Sequence, residues 1–309
     1  MKAVIYTQYG APDVLQLREV PKPTPKADEV LIRVRATTVT IGDTIMRSLN
    51  IPVPGWQKFM ARLYLGFFKP KRPTPGMELA GDIEAVGAQV TRFKPGDAVL
   101  ASTFRLNFGG NAEYKCVPET GILALKPANL SYEEAAAVPG AMMTALRCLR
   151  QGRIQPGQKV LIYGASGAVG TNAVQLAKHH FGAEVTAVCS TANLELVRSL
   201  GADHVIDYTR EDLTQRGAAY DVIFDAVGKL EPVHGKKVLK PQGIYLNVHK
   251  VSGGSEKLED LLFVKSLIEA GKLKPVIDRC YPLEQIMGAH RYVETGHKKG
   301  NVAITVAAK

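Results

Sequence analysis

An apolar strand pattern followed at once by three regularly spaced glycines is the feature that most limits the fold of this chain. Residues 159–163 are mostly apolar, and Gly164, Gly167 and Gly170 follow them at intervals of three residues. A helical pattern then continues to Phe181. A strand, a glycine-rich turn and a helix in this order are typical of the opening unit of a dinucleotide-binding sheet. The turn alone is also compatible with a simple tight connection between a strand and a helix.

Each glycine has a physical function in the dinucleotide-binding interpretation. Gly164 would permit a sharp turn, Gly167 would let the backbone approach a pyrophosphate, and Gly170 would let the helix pack closely on the strand. The free N–H groups and the positive end of the helix would then hold the phosphates. The spacing is G-x-x-G-x-x-G rather than the commoner G-x-G-x-x-G, so the surrounding chain has to support the assignment.

Strand and helix patterns alternate after this turn. Short apolar runs at residues 184–188, 204–207, 220–228 and 243–248 are separated by helical or turn-forming segments. Alternation of this kind predicts a parallel sheet with helices on both faces. We therefore expect an α/β fold in which residues 122–271 form a doubly wound, Rossmann-type domain.

The first part of the chain consists of short strand patterns and turns. Residues 30–36 predict a strand, and the Pro-Gly pair at 95–96 predicts a turn between two more. The tail, residues 302–306, is another strand pattern that could return to this domain. We therefore predict a β-rich, barrel-like domain over residues 1–121, completed by residues 272–309.

One segment of this β-rich part has a helical pattern instead. It runs from Trp56 to Phe68 and carries Phe59, Met60, Leu63, Tyr64 and Phe67 at helical spacing. Two interpretations are open at this point. The helix could pack into the core, or it could form an apolar lid over a substrate cleft.

Composition and charge exclude several classes of protein. The net charge of +10 permits nucleic-acid binding, but the basic residues are scattered, so we expect no nucleic-acid partner. No run of 18 apolar residues exists, and we expect no membrane partner. The N-terminus lacks the apolar core of a signal peptide, which predicts a cytoplasmic protein. The four cysteines are widely spaced, so neither a structural zinc site nor a disulfide framework is expected.

The end of the second strand of the predicted sheet indicates which dinucleotide binds. An acidic residue at this place accepts hydrogen bonds from the ribose of NAD, and its absence favours the 2′-phosphate of NADP. Ser190, Thr191 and Asn193 follow the strand, and no carboxylate occurs before Glu195. The three polar side chains can donate hydrogen bonds to a phosphate, which favours NADPH. Alternatively, Ser190 and Thr191 only cap the next helix.

Six motifs follow one another over nearly the whole length of the chain, at residues 37–43, 75–81, 86–97, 164–170, 201–203 and 225–228. In these motifs the chain resembles the zinc-independent medium-chain dehydrogenases/reductases, close to the quinone oxidoreductases and zeta-crystallin-like enzymes. The resemblance implies a GroES-like catalytic domain of β-barrel type and a Rossmann NADP(H)-binding domain. Where zinc-dependent relatives have a ligating cysteine near Ile41 and a ligating histidine after Gly76, this chain has neither; Met77 follows Gly76. No metal is therefore expected.

The activity that the resemblance implies is hydride delivery from NADPH to a quinone or to the activated C=C bond of an enone. Two alternatives stay open: a zinc-independent alcohol or aldehyde oxidoreductase, and a non-catalytic NADPH-binding protein with a structural or RNA-binding role. A segment that supplies a dimerisation strand in many relatives is short here, between Val248 and Leu258. Whether the chain forms a homodimer is therefore open.

The resemblance also implies roles for individual residues. Asp43 matches the family pattern, whereas Thr40 lies on the substrate side where related enzymes often carry Asn; these two are the candidate catalytic residues. Together with the residues of the turn and the second strand, the implied cofactor contacts are Thr144, Gly164, Ser166, Gly167, Ala168, Val169, Gly170, Ser190, Thr191, Asn193, Tyr208, Val227, Asn247 and Asn301. Individual contacts have structural alternatives: Tyr208 could be an interface tyrosine, and Asn301 could belong to a turn before a strand.

Overall fold

The computed structural model describes residues 1–51, 55–217, 219–251 and 256–306 of the 309-residue chain. The chain divides into two compact units, the first formed by Met1–Gly140 with Ile277–Lys309 and the second by Ala141–Val276. The helical segment at residues 132–136, which the sequence analysis places in the second domain, packs on strands of the first unit. There the hydroxyl of Tyr132 donates a hydrogen bond to the carboxylate of Asp82.

The described residues form fourteen strands. In chain order they are β1 (Lys2–Ile5), β2 (Gln16–Glu19), β3 (Glu29–Val39), β4 (Glu78–Val86), β5 (Ala98–Ser102), β6 (Tyr114–Pro118), β7 (Leu123–Leu125), β8 (Lys159–Tyr163), β9 (Glu184–Cys189), β10 (His204–Asp207), β11 (Tyr220–Asp225), β12 (Leu239–Asn247), β13 (Ile277–Pro282) and β14 (Asn301–Thr305).

The same residues form ten α-helices and one π-helical turn, Val138–Met142. The helices are α1 (Ile41–Ser48), α2 (Gly55–Leu65), α3 (Tyr132–Ala136), α4 (Met143–Gln151), α5 (Ala168–His179), α6 (Leu194–Ser199), α7 (Pro232–Val238), α8 (Val248–Val251), α9 (Leu258–Glu269) and α10 (Ile286–Glu294). In the part of the chain that the structure describes, every helix is too short or too polar to traverse a lipid bilayer.

The second unit contains the predicted parallel sheet. Its strand order is β10-β9-β8-β11-β12, and every neighbouring pair is parallel. The central strand β8 is apolar because both faces are covered: Val160, Leu161 and Ile162 are fully buried. The chain leaves β8 towards β9 on one side and later returns on the other side at β11. In such sheets ligands bind at the carboxyl ends of the strands, where the strand order reverses.

The first unit is built on a bent, mostly antiparallel sheet. Its strand order is β13-β14-β3-β4-β5-β7. Strand β6 also pairs with β3: it contacts residues 29–33 of β3, whereas β14 contacts residues 36–39. The tail strand β14 pairs antiparallel with β3 and so belongs to the sheet of the first unit. The predicted fold class, a β-rich domain combined with a doubly wound α/β domain, is therefore confirmed.

The predicted helix between Trp56 and Phe68 is present as α2, but the five apolar side chains that define the predicted pattern do not enter the core. Trp56 is 69% exposed and Phe68, just beyond the helix, is 89% exposed. The interpretation of this segment as a core-facing helix is therefore wrong. A helical period shows that one face is apolar, but it does not show which way that face points. The lid interpretation stays a prediction.

A buried polar cluster connects α1 with α10 in the first unit. The guanidinium of Arg47 donates from Nε to Nδ1 of His290 over 3.4 Å, and it also bonds the carboxylate of Glu294 and the carbonyl of Gly10. His290 is completely buried. Its burial, together with the adjacent guanidinium, lowers the pKa of His290 to about 3. The imidazole is therefore neutral in the folded protein at neutral pH.

This cluster predicts a loss of stability in mild acid. An unfolded histidine takes up a proton near pH 6.5, whereas folded His290 does so only near pH 3. Between these values the unfolded state binds more protons, so the free energy of unfolding falls by up to about 1.4 kcal/mol per pH unit as pH decreases. Urea unfolding across this window should show a smaller slope for His290→Gln than for the wild type. His297→Gln, at an exposed position, should keep the wild-type slope; equal slopes in all three proteins would contradict the assignment.

Candidate functional site

The glycine-rich turn joins β8 to α5, and its three glycines have different surroundings. Gly164 has a φ of +75°, and a Cβ there would lie 2.6 Å from a methyl group of Val227. A Cβ at Gly170 would lie 2.2 Å from the carbonyl oxygen of Gly164. Gly167 is different, because its φ is −78° and a Cβ there would have its nearest neighbouring atom 3.5 Å away. The protein's own packing therefore requires glycine at two of these positions, whereas a methyl group could be accommodated at the third.

Gly167 is the residue directly before the N-terminus of α5. The first N–H groups of a helix have no partner within the helix, and no side chain among the described residues caps this end. Ser166, Ala168 and Val169 are half-buried around it. Free N–H donors and the positive helix end suit an anionic group such as a pyrophosphate. This part of the structure therefore fits the predicted phosphate contacts of the turn.

Asn193 connects the glycine-rich turn to the end of β9. Its side-chain amide lies 3.1 Å from the hydroxyl of Ser166 and 3.1 Å from the hydroxyl of Ser190, and it can donate to both. Asn193 is buried, and its Oδ1 has no hydrogen-bond partner among the described residues. The structure thus gives Asn193 a role in positioning two serines. Its predicted contact with the 2′-phosphate of NADPH stays a prediction.

A carboxylate that the sequence analysis overlooked lies next to Thr191. Asp207 ends β10, and the register of the parallel pair places it beside Cys189, the last residue of β9. Its carboxylate accepts hydrogen bonds from the hydroxyl of Thr191 and from the backbone N–H and hydroxyl of Thr209. These bonds to Thr191 and Thr209 lower the pKa of Asp207. The acid is therefore ionised, and its oxygens are engaged by the protein itself.

Cationic and aromatic side chains accompany Asp207 at the same sheet edge. Arg210 places Nε 3.7 Å from the Asp207 carboxylate and is otherwise mostly in solvent. Tyr208 is 52% exposed, and its ring centre lies 6.5 Å from that of Tyr163, the last residue of β8. The positive charge of Arg210 offsets the carboxylate, so the edge can still accept an anionic group.

A second buried acid, Asp225, organises the loop after β11. It accepts hydrogen bonds from the backbone N–H groups of residues 227, 228 and 230 at 3.2, 2.8 and 3.0 Å. The side-chain amide of Asn247 donates to it over 3.2 Å. The loop so held includes Val227, whose side chain covers Gly164. Val227 and Asn247, both predicted cofactor contacts, are thus parts of one hydrogen-bonded unit around Asp225.

Removing the charge of Asp225 should destabilise this loop strongly. In Asp225→Asn an NH2 group would replace one carboxylate oxygen and face backbone N–H donors. At least one hydrogen bond between the side chain and the backbone would therefore be lost. Hydrogen bonds to charged groups contribute about 1.5–3 kcal/mol each, and we expect the free energy of unfolding to fall by about 3 kcal/mol. Asp221→Asn, on the same strand but in a half-exposed pair with Lys240, should cost about 1 kcal/mol or less. Equal losses in urea unfolding would contradict this account.

In the first unit, Thr40 and Asp43 form the N-terminal cap of α1. The carboxylate of Asp43 accepts from the backbone N–H of Thr40 at 2.9 Å, from its hydroxyl at 2.7 Å, and from the N–H of Gly76 at 3.2 Å. Burial raises the pKa of Asp43. These contacts hold the start of α1 against residue 76, next to Met77. The catalytic roles of Thr40 and Asp43 stay predictions.

Another buried acid of the first unit holds the π-helical turn. The carboxylate of Glu78 accepts from the hydroxyl of Thr38 and, over 2.5 Å, from the backbone N–H of Gly140. Gly140 is needed here, since a Cβ would lie 2.6 Å from the Glu78 carboxylate. π-helical turns frequently occur at functional sites. The turn ends at Met142, and the following helix α4 carries Thr144, a predicted nicotinamide contact.

The remaining predicted contact, Asn301, begins β14 in the first unit and is buried. Its position at the start of a strand agrees with the structural alternative as well as with a cofactor contact. Within the described residues, no three side chains of His, Cys, Asp or Glu come together as a possible metal site.

A cavity of about 460 Å³ lies elsewhere in the second unit. It is lined by residues at the starts of β8, β11 and β12, among them Gln158, Asp221 and Lys240. This is the amino-terminal edge of the parallel sheet, opposite to the glycine-rich turn. Because ligands of doubly wound sheets bind at the carboxyl edge, we do not assign the cofactor to this cavity.

Comparisons with known proteins agree with this geometry. Residues 26–146 match the model of the alcohol dehydrogenase GroES-like domain, and residues 168–265 match that of the zinc-binding dehydrogenases. The 2-methylene-furan-3-one reductase of Solanum lycopersicum is 38% identical over 98% of this chain and 79% of its own length. The chain belongs to the medium-chain dehydrogenase/reductase family, among the quinone oxidoreductase-like members.

Two further relatives locate the chain within this family. The NADPH-dependent alkenal/one oxidoreductase of Arabidopsis thaliana, a chloroplastic protein, is 36% identical over 98% of this chain and 79% of its own length. The structure of the quinone oxidoreductase from Coxiella burnetii superposes with a TM-score of 0.85 at 28% identity, covering 99% of both chains. The family resemblance inferred from the sequence motifs is thereby confirmed.

Proposed function

We propose that this chain is an NADPH-dependent oxidoreductase that delivers hydride to a quinone or to the activated C=C bond of an enone. The observation that carries the proposal is the uncapped start of α5 beside Gly167, in a family whose named relatives reduce quinones and alkenals or enones. This place supplies free backbone donors and room for a pyrophosphate. The bound NADPH supplies the hydride, and the protein supplies position and surroundings.

The geometry of the second unit supports a set of contacts that would hold NADPH. The N–H groups of Gly167, Ala168 and Val169 would contact the pyrophosphate. The hydroxyls of Ser190 and Thr191 would lie towards the 2′-phosphate. Asp207 does not oppose this assignment, because its oxygens are engaged and Arg210 offsets its charge. Arg210, which the sequence analysis did not consider, is added here as the cation that attracts the 2′-phosphate.

The preference for NADPH over NADH can be tested at Arg210. We expect Arg210→Ala to raise the NADPH dissociation constant about tenfold, because a charge-assisted contact to phosphate contributes on the order of 1–2 kcal/mol. The NADH dissociation constant should stay unchanged, since NADH has no 2′-phosphate. Arg198→Ala, which removes another exposed arginine of the second unit, is the matched control. An equal rise of the NADPH and NADH dissociation constants in Arg210→Ala would contradict the assigned contact.

We propose that the reaction proceeds without zinc. At the positions of the zinc ligands in zinc-dependent relatives this chain has apolar side chains, such as Met77, that do not bind zinc. Quinones and enones delocalise the charge that arrives with the hydride, so they need less electrophilic activation than a simple carbonyl group. The protein then has to orient the acceptor and exclude water during hydride transfer.

Steady-state oxidation of NADPH tests the proposed activity. We expect turnover with quinones and enones that is unchanged by a chelator. Turnover of saturated aldehydes or alcohols would favour the alternative of a general alcohol oxidoreductase. Tight NADPH binding with no turnover of any acceptor would favour a non-catalytic protein. A cytoplasmic location stays a prediction, and formation of a homodimer stays open.

A further inference from the structure

The segment from Gly55 to Arg72, here called the 55–72 surface, carries large apolar side chains in solvent. Seven of them are exposed within 13 residues: Trp56, Phe59, Met60, Leu63, Tyr64, Phe67 and Phe68. Contiguous exposed apolar surface on a folded domain indicates an interaction site. The phosphate-binding turn in the second unit and the proposed reaction do not account for this surface.

The apolar face of α2 points away from the body of the first unit. At 100° per residue, the five exposed apolar side chains of the helix cover an arc of about 140°, from Phe59 to Tyr64. Leu65, on the opposite side, is buried and attaches the helix to the rest of the unit. Lys58 and Arg62 lie between the buried side and the apolar arc. The helix is therefore amphipathic with its apolar arc outward, the reverse of an ordinary surface helix.

The end of the helix and the following turn are held in place by specific contacts. The hydroxyl of Tyr9 donates to the carbonyl of Gly66 over 2.9 Å, and Lys71 donates from Nζ to the carbonyl of Leu63 over 2.8 Å. Phe67 packs edge-to-face on Phe68, with ring centres 5.0 Å apart. The exposed rings therefore extend the apolar arc beyond the helix on an anchored turn.

The charged residues of the 55–72 surface all have the same sign. No Asp or Glu occurs from residue 44 to residue 77, whereas the 55–72 surface contributes five basic residues. They are Lys58, Arg62, Lys69, Lys71 and Arg72. Half of the net charge of +10 is thus concentrated beside the exposed apolar arc.

We propose that the 55–72 surface docks the protein on a membrane that contains anionic lipids. Aromatic and aliphatic side chains on one face, with Lys and Arg beside them, are the features of helices that lie in the lipid interface. Anionic headgroups would neutralise the five cations while the apolar arc enters the boundary of the acyl chains. The helix would lie on the membrane without crossing it, so the proposal is compatible with the absence of a spanning helix in the described residues. It departs from the expectation of no membrane partner, which rested only on the absence of an apolar run long enough to span a bilayer.

Other occupants fit this surface less well. A second copy of the chain would bring two clusters of five cations together without any acid in the segment to pair with them. RNA would use aromatic faces for stacking, but Met60 and Leu63 within the arc offer it only aliphatic contact. A small acceptor beneath a lid would contact the apolar arc and would leave the cluster of cations unused.

Flotation of the full-length protein with lipid vesicles tests the proposal, and it needs no catalytic activity. We expect the protein to float with vesicles of phosphatidylcholine and phosphatidylglycerol and to remain mostly unbound with phosphatidylcholine alone. Lys58→Ala combined with Lys69→Ala should lower partitioning about 25-fold, since each basic residue contributes about fivefold at low ionic strength. Phe59→Ser combined with Phe68→Ser, both at exposed positions, should lower it at least tenfold.

A matched control variant is available on α7 in the second unit. Val233→Ser with Lys236→Ala and Lys237→Ala also removes an exposed apolar side chain and two exposed cations, and it should float like the wild type. Circular dichroism and the melting temperature check that all variants are folded. The proposal is overturned if the wild type does not float, or if the 55–72 variants float as well as the control. It is also overturned if these variants lose only an RNA complex, a dimer or affinity for a water-soluble acceptor.

Discussion

Gly167→Ala is expected to raise the NADPH dissociation constant at least about tenfold, a loss of about 1.4 kcal/mol of binding free energy. The added methyl group has room in the protein, with the nearest atom 3.5 Å away, but it occupies the space that the pyrophosphate needs. An alanine at the residue before a helix costs less than about 1 kcal/mol relative to glycine, so the folded state should persist. Calorimetric titration with NADPH and urea unfolding measure the two effects separately.

The neighbouring glycine provides the contrast. In Gly170→Ala the methyl group would lie 2.2 Å from the backbone oxygen of Gly164, and the turn would have to move. We expect a loss of about 3 kcal/mol in the free energy of unfolding. Gly288→Ala, in α10 of the first unit, adds a methyl group with its nearest contact at 3.9 Å. It should neither weaken NADPH binding nor lower the free energy of unfolding. If Gly167→Ala binds NADPH with unaltered affinity, the pyrophosphate does not bind at this turn.

The second large effect is expected at Glu78 in the first unit. Glu78→Ala leaves the buried N–H of Gly140 and the hydroxyl of Thr38 without their acceptor, at about 1–3 kcal/mol for each buried group. We expect a total loss of about 3 kcal/mol in the free energy of unfolding. Glu78→Gln should lose only about 1 kcal/mol, because its oxygen can accept from Gly140 while its NH2 group donates to the Thr38 hydroxyl.

Urea unfolding of a surface variant is the control for this comparison. Glu84→Ala removes an acid of the same strand, β4, whose ion pair with Lys22 is partly exposed, and it should cost less than about 1 kcal/mol. The ranking of losses should be Glu78→Ala, then Glu78→Gln, then Glu84→Ala. If the two Glu78 variants lose the same stability, the two hydrogen bonds are not the reason that this carboxyl group is buried.

Local patterns were sufficient to predict the strand, turn and helix at residues 159–181 and the parallel sheet around them. A buried parallel strand needs an apolar run, and a phosphate-binding turn needs small residues directly after it, so both features are visible in consecutive residues. The cap of α1 is equally local, because Thr40 and Asp43 are only three residues apart, but the sequence analysis did not predict it. Their hydrogen bonds form within one turn of chain.

The site residues that sequence reasoning missed depend on contacts between distant parts of the chain. Asp207 meets Thr191 because β10 and β9 are neighbours in the sheet, and Glu78 meets Gly140 across 62 positions of sequence. The missed signal for Asp207 was its position as the last residue of a predicted parallel strand, next to the strand that ends at Cys189. The outward direction of α2 was not predictable from its period, because a helical period contains no information about what the apolar face contacts.

The position of a deuterium label in the product tests the central claim most directly. NADPH deuterated at the reactive carbon of the nicotinamide is incubated with an enone in the presence of a chelator, and the product is examined by NMR and mass spectrometry. Our account predicts a saturated ketone with deuterium on the carbon β to the intact carbonyl group. An allylic alcohol with deuterium on its carbinol carbon, the former carbonyl carbon of the enone, would contradict it, because the protein would then act as a carbonyl reductase.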